Sequence, residues 1–172
     1  MLRSAFLLAF LLLLQLAAVA QNPYKRKIQK QGEEMAEATI SGNYQALAKF
    51  TYPKIVEIMG GQEQMAEIIE KEIQQLENQG ITLVSVKLGT PEKVYKAANE
   101  LHCLVPQTIV LKLNAGNMAQ ESFLLAVSQD AGKNWYFVDT AQLTNDSARQ
   151  LFPAFNQDLK IPAPKEPVFV EE

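Results

Sequence analysis

The sequence predicts an α+β domain: N-terminal helices packed on a mainly antiparallel β-sheet. Three observations carry this. Apolar residues recur at helical spacing from about Ile28 to Leu76, the period changes to two from Ile81, and Leu101 to Thr140 divides into three strand-like runs. The runs are separated by Asn114-Ala115-Gly116 and Asp130-Ala131-Gly132, each with a glycine where a three-residue hairpin loop needs positive φ. With such loops Leu113 faces Asn117, Gln129 faces Lys133, and the odd-numbered side chains of all three strands share one face. That face is apolar at Leu101, Cys103, Val105, Ile109, Leu111, Leu113, Ala119, Phe123, Leu125, Val127, Trp135 and Phe137, and polar at Gln107, Glu121 and Asp139.

In chain order, Met1-Leu2-Arg3 is a short basic head, Ala5 to Ala20 an apolar run, and Ala18-Val19-Ala20 a small-x-small site. This is the layout of a secretory signal peptide cleaved before Gln21, with export to the periplasm or the extracellular space. The run is shorter than the ~20 residues a spanning helix needs, so no membrane anchor is expected after cleavage. Residues 21–155 are expected to form one domain, and 156–172 a proline-rich, mobile tail.

Asn22 to Lys30 lead into a first helix, which carries Met35, Ala36, Thr39 and Ile40 and stops at Gly42. Asn43 caps a second with Tyr44, Leu47, Ala48 and Phe50 inward. Thr51-Tyr52-Pro53 breaks the chain, and Pro53 suits the first turn of a short helix ending at Gly60-Gly61. A longer helix from Gln62 to Gln79 has its stripe at Met65, Ile68, Ile69, Ile73 and Leu76. Ile81 to Leu88 reads as a strand, Lys93 to Ala97 as a short one, and Thr144 to Phe152 as a helical turn before Pro153. The helices are expected to cover the odd-numbered sheet face. The even-numbered face mixes His102, Thr108, Lys112 and Ser122 with Leu104, Val110 and Leu124, and reads as half exposed or covered by a partner. A homodimer through that face is one arrangement open to it.

Residues 1–20 contain only Arg3 among the charges, so cleavage takes the net charge from −3 to −4. A mildly acidic chain without basic runs argues against nucleic acid or anionic membrane as partner. Cys103 is the single cysteine, so no internal disulfide can form, and its apolar surroundings predict a buried, inert thiol. His102, the single histidine, reads as a surface residue. It points away from Cys103 in a regular strand, so the two cannot form a catalytic pair. No metal-ligand spacing and no glycine-rich phosphate loop is present, and no cofactor is expected.

The order of elements, with Ser41-Gly42-Asn43-Tyr44, Thr51-Tyr52-Pro53-Lys54 and Gly60-Gly61, resembles the nuclear transport factor 2-like (cystatin-like) superfamily over roughly Ile28 to Thr140, in particular its exported bacterial branch. The resemblance implies helices on a sheet curled into a cone. That superfamily includes isomerases, dehydratases, cyclases and non-catalytic binding domains, so function stays open. Ser128-Gln129-Asp130-Ala131-Gly132-Lys133-Asn134-Trp135 resembles the Asp-box hairpin repeated in sialidase propellers. One copy does not make a propeller, so a structural role follows: the aspartate accepts from the turn backbone and the tryptophan packs over the hairpin.

The polar residues on the odd face carry the functional expectation. Buried without partners they cost several kcal/mol, so they are bonded, sit at the rim, or face a cavity. In the assumed register Gln107, Phe123 and Asp139 run side by side, with Tyr44, Tyr52 and Trp135 available as walls. The leading expectation is a non-catalytic module that binds a small apolar molecule or a protein partner in the cone, with Gln107, Glu121, Asp139, Phe123, Trp135, Tyr44 and Tyr52 as pocket residues. The alternative is a cofactor-free isomerase, dehydratase or cyclase with Asp139 or Glu121 as base.

Overall fold

The computed structural model describes residues 23–141, 143 and 145–170. The expected signal peptide and its cleavage site lie outside them. Among the described residues four helices lead: α1 (Pro23–Ile40), α2 (Tyr44–Phe50), α3 (Pro53–Ile58) and α4 (Gln62–Asn78). Strands β1 (Thr82–Leu88), β2 (Val94–Ala97), β3 (Glu100–Leu113), β4 (Gly116–Ser128) and β5 (Tyr136–Asp139) follow, then α5 (Asn145–Leu151) and β6 (Val168–Val170). The fold is α+β, and the described strands form one curled antiparallel half-barrel.

Helix α1 begins earlier than its apolar stripe suggests, because Pro23 occupies the first turn, where its missing N–H costs nothing. Asn43 caps α2 by accepting from Ala46 N at 3.1 Å. Gly32, midway along α1, is buried. A Cβ there would lie 2.6 Å from Leu88 Cδ1 and 3.5 Å from the Phe137 ring, so the helix axis comes close to the sheet at this point.

The sheet runs β1-β3-β4-β5, with β2 beside β1 on β3 and β6 beside β5 on β4. Its register corrects the sequence reading. Leu113 pairs with Gly116, not Asn117: the loop is the two residues Asn114-Ala115, and Gly116 at φ +126 is already in the ladder. The second ladder ends at Val127 opposite Tyr136, so Gln129 does not face Lys133. Each correction is one residue, and one residue turns a strand over. Strand β4 therefore turns relative to both neighbours, and the two errors cancel between β3 and β5. Odd positions of β3 and β5 share a face with even positions of β4.

On the helical face, Ile28 and Met35 of α1 pack with Cys103, Val105, Leu124, Ala126, Trp135 and Phe137. On the other face Leu104, Leu125, Val127 and Val138 pack with Tyr52, Ala148, Phe152, Phe155, Leu159 and Ile161. The chain's own C-terminal segment thus covers this second face around Leu104, Leu125, Val127 and Val138, while Thr108, Val110 and Lys112 nearer the β3–β4 turn stay part-exposed or exposed. Part of the segment expected to be a mobile tail packs on the sheet: Leu159 and Ile161 are buried, and Val168–Val170, themselves exposed, pair with Asn117–Ala119. Lys165 pairs with Glu121, and Gln120 Nε2 donates to the Lys165 carbonyl at 2.8 Å. Among the described residues no helix is long and apolar enough to cross a membrane.

Candidate ligand cavity

The helical stripes do not fill the space over the sheet. A cavity of about 370 Å³ opens between them, at the small end of the range for ligand sites. Met35 and Thr39 of α1, Leu47 of α2, Thr51, Ile55 of α3 and Met65 of α4 line it from above. Val86 of β1, Gln107 and Ile109 of β3, Leu124 of β4, and Phe137 to Asp139 of β5 line it from below. The roof is tied to the floor at Thr51-Tyr52, where Thr51 bridges to Phe137 and Tyr52 N donates to the Phe137 carbonyl at 3.4 Å.

Gln107 and Asp139 meet, as expected, but Ser122 stands between their strands in place of Phe123. Gln107 Nε2 donates to Ser122 Oγ at 2.8 Å and to Asp139 Oδ2 at 2.9 Å. Asp139 Oδ1 accepts from Ala141 N at 2.7 Å. Gln107 is only 4% exposed, whereas Asp139 is at the solvent-exposed mouth.

The other expected pocket residues lie elsewhere. Glu121 and Phe123 project from the opposite face of β4, a direct result of its turned register. They line a cleft of about 290 Å³ under Pro162 to Lys165. Trp135 is buried core: its Nε1 donates to the Gly132 carbonyl at 3.2 Å, and Tyr24 meets it edge-on at 6.2 Å. Tyr44 stands toward α4, where burial first and then Glu77 and Glu70 raise its pKa. Tyr52 turns to the second face, where its ring packs at a tilt of 55° against Phe152, centroids 4.7 Å apart.

Tyr52 belongs to a polar cluster that sequence reasoning missed. Glu100 Oε1 accepts from Tyr52 Oη at 3.0 Å and Gln129 Nε2 at 2.7 Å, and its Oε2 accepts from His102 Nε2 at 3.0 Å. His102 is fully buried between Phe152 and Phe155, which corrects its reading as a surface residue. The carboxylate can only accept, so Nε2 carries a proton; Nδ1 has no partner among the described residues. Burial pushes the imidazole below its ordinary pKa, and Glu100 offsets only part of that. Glu100 itself is held low, since burial opposes ionisation but three donated hydrogen bonds outweigh it. Burial, then the Glu100 charge, pushes Tyr52 up to about 12. The signal in the sequence was an alternation, Glu100 and His102 on one side of β3, but its cover arrives from residues 145–161.

Cys103 faces the helical core, opposite His102 as the alternation requires, and burial pushes its thiol up to about 12. The Asp-box loop wraps its aspartate: Asp130 Oδ1 accepts from Lys133 N at 3.0 Å and Asn134 N at 2.9 Å, and Ser128 Oγ accepts from Gly132 N at 2.9 Å. Its role here is structural. A scan against protein-family models found no match, and a search of curated proteins found none either.

Proposed function

We propose that this is an exported, non-catalytic module that binds a small, largely apolar ligand in the cavity between helices and sheet. The supporting observation is the cavity itself: an apolar pocket with one hydrogen-bonded polar pair, Gln107 and Asp139, where it opens to solvent. A nuclear transport factor 2-like ancestry fits the order of helices and curled sheet. The catalytic alternative has less support. Glu121 lies on the other sheet face, and an Asp139 base would work without a side-chain donor to stabilise an oxyanion among the lining residues.

The test uses N-phenyl-1-naphthylamine, a neutral apolar fluorophore, with wild type and Ile109→Trp, a half-buried lining position where a larger ring fills the space. Fluorescence should rise with wild type and not with the filled variant, circular dichroism showing both folded. Equal enhancement by the two would sink the cavity reading. Export is tested separately: the secreted form should begin at Gln21, and one beginning at Met1 ends that part.

A further inference from the structure

We infer that the cavity selects ligands with a hydrogen-bond-donating head group, an ammonium before a hydroxyl, on an apolar body, and rejects carboxylates. This rests on the binding reading above and deepens it. Four lining residues have polar side chains: Thr39, Thr51, Gln107 and Asp139. Every donor among them is already committed within the protein. Thr39 Oγ1 donates to the Met35 carbonyl at 2.9 Å, and Thr51 Oγ1 to the Leu47 carbonyl at 3.2 Å. Both N–H groups of Gln107 are taken by Ser122 and Asp139. Because a carboxylate only accepts, the amide nitrogen must face Asp139, which fixes Oε1 as the atom with lone pairs to offer. No described residue donates to that oxygen.

What these side chains present to a guest is therefore lone pairs and one negative charge. Asp139 has spare acceptor capacity beyond Gln107 and Ala141, and no lysine, arginine or histidine lines the cavity. A carboxylate head would sit against Asp139 with no side-chain donor to receive it, repelled and unsatisfied. An ammonium would gain charge-assisted bonds to Asp139 and Gln107 Oε1. An alcohol brings one donor and no charge, so it would gain a single bond to Gln107 Oε1 or to Asp139 and none of the ion pairing. Met35 and Met65 on the roof, unbranched and adaptable, suit an aliphatic body of variable shape.

The experiment is calorimetric titration at neutral pH with n-octylamine, n-octanol and n-octanoate, three probes sharing one body. The amine should bind tightest and the acid weakest, about tenfold or more apart. Asp139→Asn, at the exposed mouth, should remove about tenfold of the amine's affinity and cost the alcohol much less. Ile109→Trp should abolish binding of the amine and the alcohol alike. Equal binding of the three probes, tightest binding of the acid, or an amine indifferent to Asp139→Asn would overturn the selectivity while leaving an apolar binding site standing. If none of the probes binds and N-phenyl-1-naphthylamine fails as well, both readings fall.

Discussion

Glu100 holds three donors at once, and its cluster governs how the protein answers pH. His102 titrates below 6.5 in the fold, so on acidification the unfolded chain takes up its proton first. Stability is then complete above about pH 6.5 and drains as pH falls below it. Glu100, held below 4.5, adds a second loss in the same direction below that pH. Tyr52 acts at the other end: raised from 10 to about 12, it contributes below pH 10 and loses that contribution as pH climbs through 12. Thermal melts across the acid range should show the upper loss in wild type and not in His102→Phe; an unchanged profile would remove His102 from the account. Tyr52→Phe, which deletes one donor to Glu100 and leaves the ring packed, should cost about 1 kcal/mol in urea denaturation. Asp139 and Gln107 were legible in the sequence as polar residues on an apolar face. Tyr52 and His102 were not, because a side chain's neighbours across an element are not encoded in its own strand.

The Ser128–Trp135 loop shows how far local chemistry reaches at the scale of an element. Its hydrogen bonds followed from the motif, since an aspartate two residues before a glycine can accept from the turn backbone. Its effect on pairing did not follow. A glycine at the end of a turn serves equally as the last loop residue or the first strand residue, and Gly116 is the second kind. Taking Gly116 as the last loop residue exchanges the faces of β4 and puts Phe123 where Ser122 stands. The β3 and β5 residues escaped because two single-residue shifts restore parity. Asp130→Ala should cost about 2 kcal/mol through several lost backbone bonds. Gly132→Ala should cost more: φ is +84, and the new methyl would lie 2.4 Å from the Tyr24 ring. Chemical denaturation of both variants checks the order; a neutral Gly132→Ala would mean the loop is not held to α1 as described.

Over the whole molecule, the sheet has two cores, and the sequence displayed only one. The helical stripes announced the first. The second is assembled from Phe152, Phe155, Leu159 and Ile161, apolar residues too irregularly spaced among prolines and polar residues to read as an element. Phe152→Ala, at a site 1% exposed, should destabilise the protein by about 3–5 kcal/mol, measurable in the same denaturation series. A loss under about 1 kcal/mol would show that the C-terminal cover contributes little. That cover has a consequence for the chain as it is made. Translation delivers α1 to α4 and β1 to β5 before the second cover. Until residues 148–161 have emerged, Leu104, Leu125, Val127 and the ring of His102 lack the cover of Ala148, Phe152, Phe155, Leu159 and Ile161, and the nascent chain carries a partly bare apolar surface beside a finished one. A ribosome-stalled series should therefore gain protease resistance in one late step as residues 148–161 clear the exit, not progressively as each strand appears.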